Sequence, residues 1–195
     1  MNGFILASQS PRRKQLLEWA DLQFDIIVSA ADEDFPADMD VQEVPVHIAK
    51  NKALAVQEKI KNELTAQKGK WIIAADTIVV LDNEIIGKPV DKADAVRILQ
   101  KLSGKTHRVI TGVYLINGAA SQSFSETTLV HFHPLTDEQI HYYIDQYQPY
   151  DKAGAYGIQD WIGVVGIKGI EGDFYNVMGL PVSKLLSYLP TTTES

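Results

Sequence analysis

The stretch Trp71-Ile72-Ile73-Ala74-Ala75-Asp76-Thr77-Ile78-Val79-Val80-Leu81, with Asp82-Asn83 and then Glu84-Ile85-Ile86 behind it, decides the fold. β-Branched and apolar residues fill the first run, two turn formers interrupt it, and a short apolar run returns. That pattern predicts a β-hairpin, whose antiparallel arms exclude a purely parallel sheet. A second hairpin with longer arms is expected from Arg108 to Ile116, the turn Asn117-Gly118, and Ser123 to Phe132.

Helical patterns lie between and around these hairpins. Phe4-Ile5-Leu6-Ala7 reads as a strand leading into Ser8-Gln9-Ser10-Pro11-Arg12-Arg13, after which the sequence turns amphipathic to Ala20, with Leu16 and Leu17 facing inward. Phe24 to Ser29 reads as a short strand and Asp32-Glu33-Asp34 as an acidic loop. A helix beginning near Pro45 carries the stripe Ala49, Ala53, Val56 and Ile60; Lys52 borders its buried side, whereas Lys59 and Lys61 fall on the solvated side. Asp91 is placed to cap a helix that turns Val96, Leu99 and Leu102 to the core and stops at Gly104; Thr136 is placed to cap another, running to Tyr147. The glycine-rich stretch Gly154 to Gly172 contains a strand-like run, Ile162 to Ile167, and a last helix is expected from Pro181 to Leu189. Interspersed strands and helices make the fold class α/β, with residues 1–190 as one unit and Thr191–Ser195 as a frayed tail.

Asp76 is the residue that this framework does not explain. It shares a strand face with Ile72, Ala74, Ile78 and Val80, where an ionised carboxylate is costly unless paired. A buried partner, a divalent metal and a general-base role all satisfy that requirement. At the start of the first helix, Ser10 suits the N-cap and Pro11 the first helical position, so free backbone N–H groups lie beside Arg12 and Arg13, an arrangement suited to phosphate. Glu33 and Asp76 are hard oxygen donors of the type Mg²⁺ takes, and Lys52 and Lys88 add cationic charge for phosphates. Gln159, beside flexible glycines, can donate to and accept from a base edge. In Glu171-Gly172-Asp173-Phe174-Tyr175-Asn176, helix capping alone accounts for Asp173 or Asn176. His131 and His133 share a strand face, but no third ligand stands at a supporting spacing.

Composition narrows the partners. The chain has 195 residues, 45% of them hydrophobic, enough for a sizeable core. With 18 basic and 25 acidic residues and a formal charge of -7, a general surface for nucleic acid or acidic membrane is not expected, so a phosphate site must be local. There is no cysteine, and no apolar run reaches the length of a membrane span. The opening segment lacks a basic n-region and a long h-region, and a cytoplasmic location is the default expectation. Neither a Walker loop nor a dinucleotide fingerprint is present.

The sequence resembles the Maf family of nucleoside triphosphate pyrophosphatases. The resemblance rests on Ser8-Gln9-Ser10-Pro11-Arg12-Arg13, the loop of Glu33, Ala49-Lys50-Asn51-Lys52-Ala53, Ala75-Asp76-Thr77, Gly87-Lys88-Pro89, Thr111-Gly112-Val113, Tyr156-Gly157-Ile158-Gln159 and Gly172-Asp173-Phe174-Tyr175-Asn176-Val177-Met178-Gly179-Leu180-Pro181, in that order. It implies an elongated, curved mixed β-sheet with flanking helices in two lobes around a central cleft, and a homodimer. It also implies hydrolysis of a nucleoside triphosphate between its α- and β-phosphates with a divalent cation, Mg²⁺ or Mn²⁺. By the same resemblance Asp76 stands at the proton-acceptor position, and it serves either as that base or as a metal ligand together with Glu33. Ser8, Ser10, Arg12, Arg13, Lys52, Thr77, Lys88 and Gln159 bind substrate, and Arg12, Thr77 and Gln159 set a preference for dTTP, UTP and related pyrimidine nucleotides. The alternatives are the family branch acting on 7-methyl-GTP and a non-catalytic nucleotide sensor in septum formation, the role historically attached to the family name.

Overall fold

The computed structural model describes residues 3–63 and 67–189. The expected tail, Thr191–Ser195, lies outside the described residues. In chain order the elements are β1 (Phe4–Leu6), α1 (Pro11–Trp19), β2 (Phe24–Ile26), α2 (Val44–Glu63), β3 (Ile72–Leu81), β4 (Glu84–Ile86), α3 (Lys92–Leu102), β5 (Thr106–Asn117), β6 (Ala120–Phe132), α4 (Asp137–Tyr147), α5 (Trp161–Gly166), β7 (Ile167–Glu171), α6 (Phe174–Met178) and α7 (Val182–Tyr188). The strands form a seven-stranded sheet in the order β2-β1-β3-β5-β6-β7, with β4 on β3. β1 is parallel to both β2 and β3, whereas β4 runs antiparallel to β3 and β7 antiparallel to β6. The sheet is therefore mixed and the fold α/β, as the hairpins predict.

The chain packs as two compact units: the first takes residues up to Asp76, Thr111–Ser125 and those from Gly179 on, and the second takes Thr77–Ile110 and Glu126–Met178. In the first unit α2 lays its stripe on the sheet. Ala49, Ala53, Val56 and Ile60 are buried against Ile5, Ala7, Ile72, Ala74 and Ile116. Burial of Val56 and Ile60 contributes about 1.5–3 kcal/mol each, and the two alanines let the helix come close. Its first turn comes closer still, because a Cβ at Gly112 of β5 would stand 2.2 Å from Val46 N and 2.3 Å from the carbonyl carbon of Pro45. Lys59 is not simply solvated: its Nζ reaches Val28 O at 3.1 Å.

The second unit departs from the sequence pattern in two places. Ile162 to Ile167, expected as a strand, is the helix α5 up to Gly166, and β7 begins only at Ile167. On a strand Ile162 and Val164 share a face, yet Ile162 is fully buried and Val164 is 83% exposed. The reversal comes from tight packing at Gly163, whose N–H donates to Asp160 O at 2.9 Å and where a Cβ would lie 1.8 Å from Ile158 O. α3 buries Ala95 and Ile98 with Leu99 and Leu102, leaving Val96 only half-buried. α4 is closed by a capping box between Thr136 and Gln139.

Candidate active site

β1 ends at Leu6 and hands the chain to a tight turn before α1. Ser10 caps that helix, its Oγ accepting from Arg13 N, and Pro11 occupies the first position, as the sequence predicts. Ser8 is buried, and its Oγ accepts from Ser10 N at 3.2 Å and from Arg13 Nη1 at 3.2 Å. Arg13 Nε donates to Gly179 O at 2.8 Å. Arg13 therefore ties the start of α1 to the segment before α7. Burial pulls its pKa below the ordinary arginine value, opposed by the charge of Asp76, assisted by Arg12 and opposed again by Glu33. The charges of Asp76, Arg12 and Glu33 thus act on one guanidinium.

Asp76, in the middle of β3, has its partner. Lys52 Nζ lies 2.7 Å from Asp76 Oδ1 and 2.7 Å from Glu33 Oε1. Lys52 reaches both because it borders the buried stripe of α2, which lies on the β-sheet. The loop of Glu33 is fastened from the same helix, where Asn51 Nδ2 donates to Asp32 O at 3.3 Å. The strand alone does not compensate the Asp76 carboxylate; one ammonium compensates it together with a second, more exposed carboxylate.

Among the described residues no group of three or more His, Cys, Asp or Glu side chains is assembled to hold a metal ion. The available donor set is the carboxylate pair Glu33 and Asp76. Mg²⁺ is commonly held by one or two carboxylates plus phosphate oxygens, so this pair fits a cation that arrives with a triphosphate. His131 is engaged otherwise, with Nδ1 2.8 Å from Thr106 Oγ1 and Nε2 3.1 Å from Glu171 Oε1.

Ser8, Ser10, Arg12, Arg13, Glu33, Lys52 and Asp76 all belong to the first unit. Thr77, Lys88 and Gln159 belong to the second. Thr77 follows Asp76 on β3 and is half-buried, and Lys88 is exposed just after β4. The turn before Lys88 is held to the glycine-rich stretch by Gly154 N donating to Gly87 O at 3.1 Å. Gly154 has φ +72 there, a conformation strained for residues with a side chain, and a Cβ on it would press on Val79 at 3.0 Å. Gln159 is exposed, and its Nε2 donates to Asp160 Oδ1 at 3.2 Å.

Several residues of this region escape a reading of sequence. Tyr143, fully buried on α4, donates its hydroxyl proton to Asp160 Oδ2 at 2.7 Å and accepts from Gly157 N at 3.0 Å. His107 and Tyr156 meet at 2.7 Å between Nε2 and the hydroxyl. Asn176 is no helix cap: it is fully buried, and its Nδ2 donates to Val109 O at 3.1 Å and to Thr128 Oγ1 at 3.0 Å. Asp173 keeps the local role expected of it, its Oδ1 accepting from Tyr175 N at 2.7 Å. Only the polarity of these side chains within apolar surroundings signals them in the sequence.

A family model described as Maf-like protein matches residues 3–192. A dTTP/UTP pyrophosphatase of Porphyromonas gingivalis is 46% identical over 98% of this chain and 94% of its own length. Proteins of the same name from Cytophaga hutchinsonii and Phocaeicola vulgatus are 50% and 48% identical, each over 95% of this chain and over 82% and 93% of their own. Among solved structures, the Staphylococcus aureus Ham1 protein is 13% identical, covering 67% of this chain and 71% of that one with a TM-score of 0.41.

Proposed function

The chain belongs to the Maf family, and from that premise we propose that it is a nucleoside triphosphate pyrophosphatase acting on dTTP and UTP. The observation that carries this reading at the level of chemistry is the Lys52 ammonium shared by Asp76 and Glu33 at 2.7 Å each. Beside it, the charges of both carboxylates act on Arg13 at the start of α1. Acid anhydride hydrolysis needs this combination of cations for phosphate oxygens and a carboxylate to receive the proton of water.

In the reaction, water oxygen bonds to the α-phosphorus, the bond from that phosphorus to the bridging oxygen breaks, and the electron pair leaves with pyrophosphate. Asp76 takes the proton of the attacking water. Lys52, which bridges Asp76 and Glu33, turns toward phosphate oxygens when the triphosphate enters, releasing the Asp76 carboxylate for that task. Arg12 and Lys88 neutralise the remaining phosphate charge, with Ser8, Ser10 and Arg13 holding the start of α1 in shape. A divalent cation, Mg²⁺ or Mn²⁺, bound by Glu33 and Asp76 would supply further neutralisation of the departing pyrophosphate. Arg12, Thr77 and Gln159 select the base. The same reading has the enzyme acting in the cytoplasm as a homodimer, on free nucleotides rather than nucleic acid, in keeping with its formal charge of -7. Among the described residues no helix is long and apolar enough to cross a membrane.

The test is pyrophosphate release from dTTP, UTP, CTP and 7-methyl-GTP with Mg²⁺ or Mn²⁺. Turnover is expected to be fastest with dTTP and UTP. A preference for 7-methyl-GTP would overturn the base assignment, and nucleotide binding without any release would overturn the enzymatic one.

A further inference from the structure

The orientation of the Gln159 amide is set by a chain of hydrogen bonds behind it. Gln159 Nε2 donates to Asp160 Oδ1 at 3.2 Å, Asp160 Oδ2 accepts from the Tyr143 hydroxyl at 2.7 Å, and that hydroxyl accepts from Gly157 N at 3.0 Å. An ionised carboxylate only accepts hydrogen bonds, so it draws the NH₂ end of the amide toward itself and leaves the carbonyl Oε1 pointing elsewhere.

Two further observations mark this as a built arrangement. Asp160 occupies the N-cap of α5, the position at which aspartate ordinarily accepts from a helix N–H, yet its side chain makes no capping bond. Its carboxylate is committed to Tyr143 and Gln159 instead. Gly157 makes room for the pair: a Cβ there would lie 2.5 Å from Asp160 Oδ2 and 2.9 Å from Gln159 Nε2. Tyr143 is fully buried, so the anchor of the chain is fixed by packing.

We infer that Tyr143 and Asp160 are positioning residues for base selection, presenting Gln159 Oε1 as the acceptor for the N3–H that uracil and thymine share. Cytosine carries a lone pair at N3, so the fixed Oε1 meets an acceptor and rejects it. This deepens the assignment of Gln159 to the base and rests on it.

The experiment compares kcat/KM for UTP, dTTP and CTP in the full chain, in Asp160→Asn and in Tyr143→Phe, with melting temperatures for each. Asparagine at 160 presents either an NH₂ or a carbonyl to Gln159 and so releases its orientation. The UTP-to-CTP ratio is expected to fall by about tenfold in Asp160→Asn, and in the same direction but less in Tyr143→Phe. The near-isosteric Asp160→Asn carries the test if loss of the buried hydroxyl unfolds the other variant. A ratio within about twofold of the original in Asp160→Asn, with kcat lowered equally for all three nucleotides, would mark a merely structural role and overturn the inference while leaving the pyrophosphatase reading intact. Equal turnover of CTP and UTP by the unaltered protein also overturns it. No pyrophosphate from any of the three overturns the pyrophosphatase reading itself.

Discussion

Lys52 Nζ stands 2.7 Å from Asp76 Oδ1, with both side chains largely shielded from water at 20% and 16% exposure. A strand carboxylate held this way has its charge compensated by that ammonium. Asp76→Asn keeps the shape of the side chain and removes its capacity as a base. Turnover of dTTP is expected to fall by about 10²–10⁴-fold while the melting temperature changes little, since Lys52 retains Glu33. Pyrophosphate release and circular dichroism on the same preparation check this; near-normal hydrolysis would remove Asp76 from the chemistry.

Removing the ammonium instead leaves two carboxylates within a few ångströms of each other and without their shared cation. Lys52→Met is expected to lower stability by up to about 3 kcal/mol, at the low end for a buried pair because Glu33 is 58% exposed. Mg²⁺, if Glu33 and Asp76 bind it, takes over part of the lost charge. Added Mg²⁺ is therefore expected to raise the melting temperature of Lys52→Met by more than that of the unaltered protein. Equal shifts in the two proteins would argue against a cation on this carboxylate pair.

What could be read from sequence was what the local chain determines. The turn at Asp82-Asn83, the Ser10 cap and the stripe of α2 follow from steric and hydrogen-bonding preferences of a few neighbouring residues, and all three are present. The location of Lys52 beside that stripe, and of a charge in the apolar run of β3, was visible in the same way. That one ammonium serves both Asp76 and Glu33 was not, because it depends on how a helix and a loop distant in sequence come to rest beside β3. α5 shows the opposite failure: Ile162, Val164 and Val165 favour a strand locally, and the contact of Gly163 with Ile158 O overrides them. The hydrogen bonds of Asn176 to Val109 and Thr128 are likewise long-range and leave no local signature.

Gly112 sets the approach of α2, and with it the position of Lys52. A methyl group there would meet backbone atoms of Pro45 and Val46 at 2.2–2.3 Å, which cannot rotate away as a side chain would. Gly112→Ala is expected to cost about 1–3 kcal/mol through overpacking, read as a lower melting temperature. Because the displaced helix carries Lys52, dTTP turnover is expected to fall further than the stability loss alone would bring about when assayed well below the melting temperature. Unchanged stability would show that α2 can shift without strain.

Acid stability tests the buried contact of His107 with Tyr156. His107 is 2% exposed and stacks on Phe132 with ring centroids 5.4 Å apart; its Nδ1 has no hydrogen-bond partner among the described residues. Burial, with a smaller contribution from the charge of His131, lowers its pKa from 6.5 to about 4. Burial also pushes the Tyr156 hydroxyl well above its ordinary value, so it remains a proton donor, and Nε2 of the neutral imidazole accepts. The unfolded chain takes up a proton at this histidine near pH 6.5, whereas the folded chain does so only near pH 4. Stability from the neutral form is thus fully present above pH 6.5, is lost progressively as pH falls toward 4, and changes no further below that. The whole loss amounts to at most about 3 kcal/mol. His107→Gln keeps an acceptor for Tyr156 but does not titrate. Its melting temperature is expected to decline less steeply than that of the unaltered protein across this window, and parallel curves would mean that His107 has no part in the acid sensitivity.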